Sequence, residues 1–185
     1  METLVVVMIV LLSLDFVVKQ TFMKPVYVAV TAVVCALFTG LMCPVATSVS
    51  GTVLSGVFSD SSRMLDLAVL VSMDVMAGIT FCWLSVQKIE GERMGVGSKI
   101  LLGVSGYFPG IMVFVILFYL LAEVIFSFPG VSFSLLAWGL AAAVLVAVPL
   151  LAWLLRSLLP QVRGRLDLMF MSYVITAMIG VIATV

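Results

Sequence analysis

The chain has 185 residues, 64% of them hydrophobic and 10% charged, with nine basic and nine acidic side chains, no histidine and a mean hydropathy of +1.38. So little polar surface excludes a water-soluble domain of this size, and balanced, unclustered charge excludes nucleic acid as a partner, because a phosphate-binding face needs grouped Lys and Arg. The expected solvent is the lipid bilayer, and the expected fold class is all-α: a polytopic bundle of six transmembrane helices that takes up residues 1–185 as a single integral membrane domain.

Apolar runs bounded by charge, Pro or Gly predict helices over 3–22, 25–45, 64–87, 99–128, 131–156 and 167–185. Runs such as Leu4 to Leu12 and Val113 to Leu121 lack the alternation of a membrane barrel strand. The first run has no basic start and places Asp15 and Lys19 late, so it reads as a span and not as a cleaved leader. Lys19 follows Asp15 by one helical turn and is expected to snorkel toward water while pairing with it.

Between the second and third predicted helices, residues 46–63 are rich in Ser, Thr and Gly and read first as an external loop with partial interfacial character, ahead of an interfacial helix or a re-entrant segment. Gly51 and Gly56 have the spacing of a phosphate loop, but no Lys followed by Ser or Thr completes it. The basic residues alternate across the connections. Lys19 and Lys24 flank the first, Lys88, Arg93 and Lys99 the third, and Arg156, Arg163 and Arg165 the fifth, whereas only Arg63 falls in the second and none in the fourth. Cytoplasmic loops are enriched in Lys and Arg, so this bias puts the odd connections inside and both termini outside, in a bacterial inner membrane. Trp83 and Trp153, near the inner ends of their helices, fit an interfacial aromatic belt. Trp138 lies deeper and either lines a pocket or packs.

Acids within spans are the residues most open to a functional reading, because placing them in lipid is costly. Asp74 falls near the midplane, about 14 Å below the outer end of the third helix at 1.5 Å of rise per residue. Asp66 lies near the outer boundary of that helix, and the eight-residue interval rotates it by about 80° from Asp74, so the two share the margin of one face. Glu123 sits about 7 Å below the outer end of the fourth helix, and Asp15 in the inner half of the first. No Lys or Arg is expected at the depth of Asp74. That residue must therefore be protonated, hold a cation, sit beside water or pair with another subunit. Asp74, Asp66, Glu123 and Asp15 are accordingly the candidate proton or cation sites. The structural alternative for Asp74 is a protonated acid hydrogen-bonded across helices.

The fourth helix carries Gly103, Gly106, Pro109 and Gly110, which predict a kink or hinge at Pro109 and, through the GxxxG spacing of Gly106 and Gly110, a close helix contact. Gly139, Ala141, Ala142 and Ala143 allow a similar contact in the fifth helix. Cys35, Cys43 and Cys82 lie inside apolar runs and read as packing residues, and Met64, Met73 and Met76 lack the Cys or His company of a soft-metal site, so no metal or cofactor is expected. Without histidine, HExxH or a nucleophile elbow, enzymatic chemistry is not expected. The residues point first to a transport or energy-coupling membrane protein. The second reading is a non-catalytic membrane subunit of a larger uptake or proton-driven motor complex, with other membrane or peripheral subunits, or further copies of the chain, meeting its small-residue faces; an intramembrane enzyme ranks last.

Overall fold

The computed structural model describes the backbone of residues 2–48, 61–91, 95–128 and 130–184, with side chains over 6–48, 67–91, 95–128 and 130–182. Every regular element among the described residues is helical: α1 (Glu2–Gln20), α2 (Pro25–Leu41), α3 (Cys43–Ser48), α4 (Ser61–Glu90), α5 (Val96–Tyr107), α6 (Ile111–Ser127), α7 (Phe133–Leu158) and α8 (Val162–Thr184). Among the described residues five stretches, Pro25–Ser48, Leu67–Glu90, Val96–Ser127, Phe133–Leu158 and Val162–Ile182, are long and apolar enough to cross a membrane. The chain is a multi-pass membrane protein on that basis.

Each boundary has a local cause. Pro25 opens α2, where its fixed φ suits the first turn and its missing N–H would have had no helical partner. The helix predicted over 25–45 ends at Leu41, and the chain winds on as the short α3 through Pro44. Residues 49–60, the centre of the predicted external loop, lie outside the described residues. The helix predicted over 99–128 is two helices, α5 and α6, and not one kinked rod. Pro109 removes a backbone donor there, and Gly110 adopts φ +102°, a conformation that closes the helical path to residues with a Cβ. Gly106 and Gly110 therefore fall on opposite sides of a break and do not form a GxxxG face. Gly106 itself does pack closely, since a Cβ there would stand 2.8 Å from Met23 Cε, while Gly103 has open space around it.

The helices associate in two long pairs, α2 against α7 and α4 against α8. In the first pair the small buried residues include Ala32 and Gly40 on α2 and Ala137, Ala141 and Ala152 on α7, which let the backbones approach. Trp138 packs over Gly40, with ring carbons 3.1–3.3 Å from the position of an added Cβ. Gly139, Ala142 and Ala143, expected at that contact, face away from it. In the second pair the Tyr173 ring occupies the space a side chain at Gly78 would need. Helix α1 is wedged between the pairs. It buries Met8, Leu12 and Val18 with α4 and α8, and Phe16 and Val17 with α2, α6 and α7.

The turn after α1 is fastened from two other helices. Arg156, at the end of α7, donates from Nη2 to the carbonyl oxygens of Thr21 at 2.6 Å and Met23 at 2.9 Å, and Arg165 of α8 donates to the same Thr21 oxygen at 3.2 Å. The last carbonyls of a helix carry its negative end, so two guanidinium groups satisfy both the orphan acceptors and the dipole. The guanidinium of Arg165 also lies 5.2 Å from the centre of the Phe22 ring.

Candidate functional site

The break between α5 and α6 exposes two sets of unpaired backbone groups inside the bundle. Because α5 stops at Tyr107, the Phe108 carbonyl has no helical donor; because α6 starts at Ile111, its first N–H groups have no helical acceptor. Charged side chains from two other helices meet them. Lys19 of α1 donates from Nζ to the Phe108 carbonyl oxygen at 2.8 Å. On the other side of the break, the Ile111 and Met112 N–H groups donate to the Asp74 carboxylate oxygens of α4 at 3.3 and 3.4 Å. A cation thus sits at the negative end of α5 and an anion at the positive end of α6, the arrangement the helix dipoles favour.

Gly110 makes the second cap geometrically available. A Cβ at that position would lie 2.9 Å from both Asp74 carboxylate oxygens. Ser105 of α5 donates to the Ala77 carbonyl of α4 at 3.2 Å and holds the two helices in step near the break.

Lys19 is only 4% exposed. Its ammonium acts electrostatically on Asp74 and stands 5.7 Å from the centre of the Phe81 ring. The snorkelling expected of Lys19 does not occur, and the expectation that Asp74 lacks a basic residue at its depth is corrected by the same side chain. The physical reason is the broken helix. A free carbonyl at Phe108 gives the ammonium a buried partner, and Asp74 gives it a counter-charge.

Asp15 is 1% exposed, one turn before Lys19 on α1. Ser172 of α8 faces it, but neither carboxylate oxygen nor Ser172 Oγ completes a hydrogen bond of ordinary geometry. Asp74, Cys82 and Tyr173 lie within electrostatic range. The cluster therefore holds two carboxyl groups and one ammonium in a part of the bundle walled by Val71, Val75, Phe81 and Met112. Among the described residues no group of three or more Cys, Asp or Glu forms a metal cage.

Of the four predicted acids, the fold brings Asp15 and Asp74 together. Glu123 is exposed on α6, about 18 Å along the axis from the break at 1.5 Å per residue, and takes no part in the cluster. The Asp66 side chain lies outside the described residues. Gly110 and Pro109 belong to the site as predicted hinge residues, Gly106 packs behind it, and Gly103 does neither. Sequence reasoning missed Lys19, Ser172 and Tyr173 as site residues. Only the interval Asp15 to Lys19 pointed to the lysine, and nothing in the sequence aligned α8 with it. Comparison with protein-family models, with curated proteins and with solved structures finds no match for this chain.

Proposed function

We propose that this chain is a non-enzymatic, proton-coupled transport or energy-coupling protein whose ionisable site is the cluster of Asp15, Lys19 and Asp74 at the α5–α6 break. The reading takes α1 as a sixth span, since its 19 residues rise about 28 Å. It places both termini outside a bacterial inner membrane, with the Lys and Arg clusters inside. Transporter sites are characteristically built on discontinuous helices whose ends face charged groups, which is the form of this break.

The observation that carries the proposal is charge balance. Two carboxylates and one ammonium, with Asp15 and Lys19 buried and Asp74 half-buried, leave one uncompensated negative charge, which a low-dielectric surrounding penalises. One proton removes it. Asp74 already has two backbone donors and Lys19, so it is the acid best supported as an anion; Asp15, without a completed hydrogen bond, is where the proton resides. A proton suits the site better than a metal cation, because Lys19 already supplies the positive charge.

Losing that proton would leave Lys19 with two carboxylates to serve and the Phe108 carbonyl still bonded to it. The ammonium cannot satisfy all three equally, so the protonation state of Asp15 biases how firmly α5 and α6 are held at their facing ends. That coupling between a proton and a helix joint is the proposed working step.

The test is proton flux in liposomes containing the purified chain, followed with an internal pH dye under an imposed pH gradient and membrane potential. Wild type is expected to dissipate the gradient. Asp15→Asn, isosteric and permanently neutral, is expected to abolish flux while keeping its gel-filtration profile and melting behaviour. Flux that survives Asp15→Asn, or a wild-type chain that carries none, contradicts the proposal; in the second case co-purification of a stoichiometric partner would mark the chain as a subunit.

A further inference from the structure

Between the α1–α2 turn and the α4–α5 hairpin lies a cleft of about 710 Å³. Its inner wall is set back from the hairpin: Met23 meets Gly106, which is about 15 Å along α5 from Val96 at 1.5 Å per residue. Three lysines line it, Lys24 from the turn, Lys88 from α4 and Lys99 from α5, and no carboxylate does among the described lining residues. All three are exposed. The remaining surface is largely apolar and aromatic, including Phe81 and the Tyr27–Tyr107 pair, whose ring centres are 4.7 Å apart at 52°.

We infer that this cleft binds the headgroup of an anionic phospholipid. Three ammonium groups without a competing acid form the complement of a phosphodiester, and basic pockets between membrane helices hold such headgroups. The apolar continuation selects a lipid over a free anion. Tyr27, Val30 and Val34 follow one another at i, i+3 and i+7 along α2, are all exposed, and run from the cleft along the helix surface as a track for an acyl chain. This inference needs only the membrane-spanning character of the helices and does not depend on proton coupling.

The chain would be purified in a mild detergent and exposed to phosphatidylglycerol, to phosphatidylcholine with the same acyl chains, or to inorganic phosphate. Retained lipid would be read by native mass spectrometry and stability by the melting midpoint. Phosphatidylglycerol is expected to stay bound and raise the midpoint, with the other two having little effect. In Lys24→Gln/Lys88→Gln/Lys99→Gln, affinity for phosphatidylglycerol should fall about a hundredfold, from roughly one tenfold step for each 1.4 kcal/mol and about 1 kcal/mol per lysine. Arg163→Gln, which removes an exposed charge paired with Glu90 outside the cleft, should leave binding unchanged. Equal retention of the two lipids by wild type overturns the inference whatever the variants do. So does undiminished binding by the triple variant, or a full effect from inorganic phosphate alone, which would make this a site for a free anion.

Discussion

Replacing Lys19 with Met is expected to destabilise the folded chain by about 3–5 kcal/mol, the usual consequence of removing one partner from a buried ionic group. Methionine preserves the length and apolar contacts of the side chain, so the loss reports the ammonium. It strips the Phe108 carbonyl of its donor and leaves the Asp15–Asp74 pair with no positive charge. Adding Asp74→Asn to the same chain should recover much of the loss, because the amide keeps an oxygen for the α6 N–H groups and removes the stranded charge. Unfolding curves in mixed detergent for wild type, the two single variants and the double variant form a cycle that isolates the coupling. If Lys19 reached water, its replacement would cost about 1 kcal/mol or less and the double variant would show no recovery. Proton flux should be absent from the double variant even where its stability returns.

Gly110→Ala is expected to be the most damaging single methyl group in the α5–α6 region. A non-glycine residue at φ +102° carries about 1–3 kcal/mol of backbone strain, and the new Cβ would press on both Asp74 oxygens at 2.9 Å. The carboxylate must then leave the start of α6 or the break must reshape, and either change removes the cap. Gly103→Ala is the matched control, seven residues away in the interior of α5 with open space around it. Alanine there should be neutral or stabilise by up to about 1 kcal/mol, since it improves helix propensity without a clash. Melting midpoints and liposome flux on the two variants check this. Equal behaviour of Gly110→Ala and Gly103→Ala would show that the cap does not matter.

The contrast between these positions shows what the sequence can and cannot convey. Helix locations were legible because lipid forces long apolar runs, and charges, Pro and Gly mark where those runs stop. The unusual character of Pro109 and Gly110 was legible too, through the missing donor and the missing Cβ. Whether such a pair bends a helix or breaks it depends on what can satisfy the freed groups, and Asp74 and Lys19 do so from other helices. Asp74 could be singled out by depth alone. Lys19 could not, because a lysine near the end of a span has water within reach by snorkelling, and only the docked position of Phe108 makes the inward rotamer the better one. Ser172 and Tyr173 are ordinary residues of an apolar helix until the packing of α8 against α1 carries them to Asp15.

The helix-end capping and the proton proposal are linked by one physical requirement: the ammonium of Lys19 must not face two bare carboxylates within the bundle. That requirement is tested most directly by infrared difference spectroscopy of the purified chain, in buffers where exposed carboxyls are ionised. The expected result is the carbonyl stretch of one protonated carboxyl, shifted in heavy water, present in wild type and missing from both Asp15→Asn and Asp74→Asn, because in each variant the one remaining carboxylate balances Lys19. A band that persists in either variant, or no such band in wild type, would contradict it.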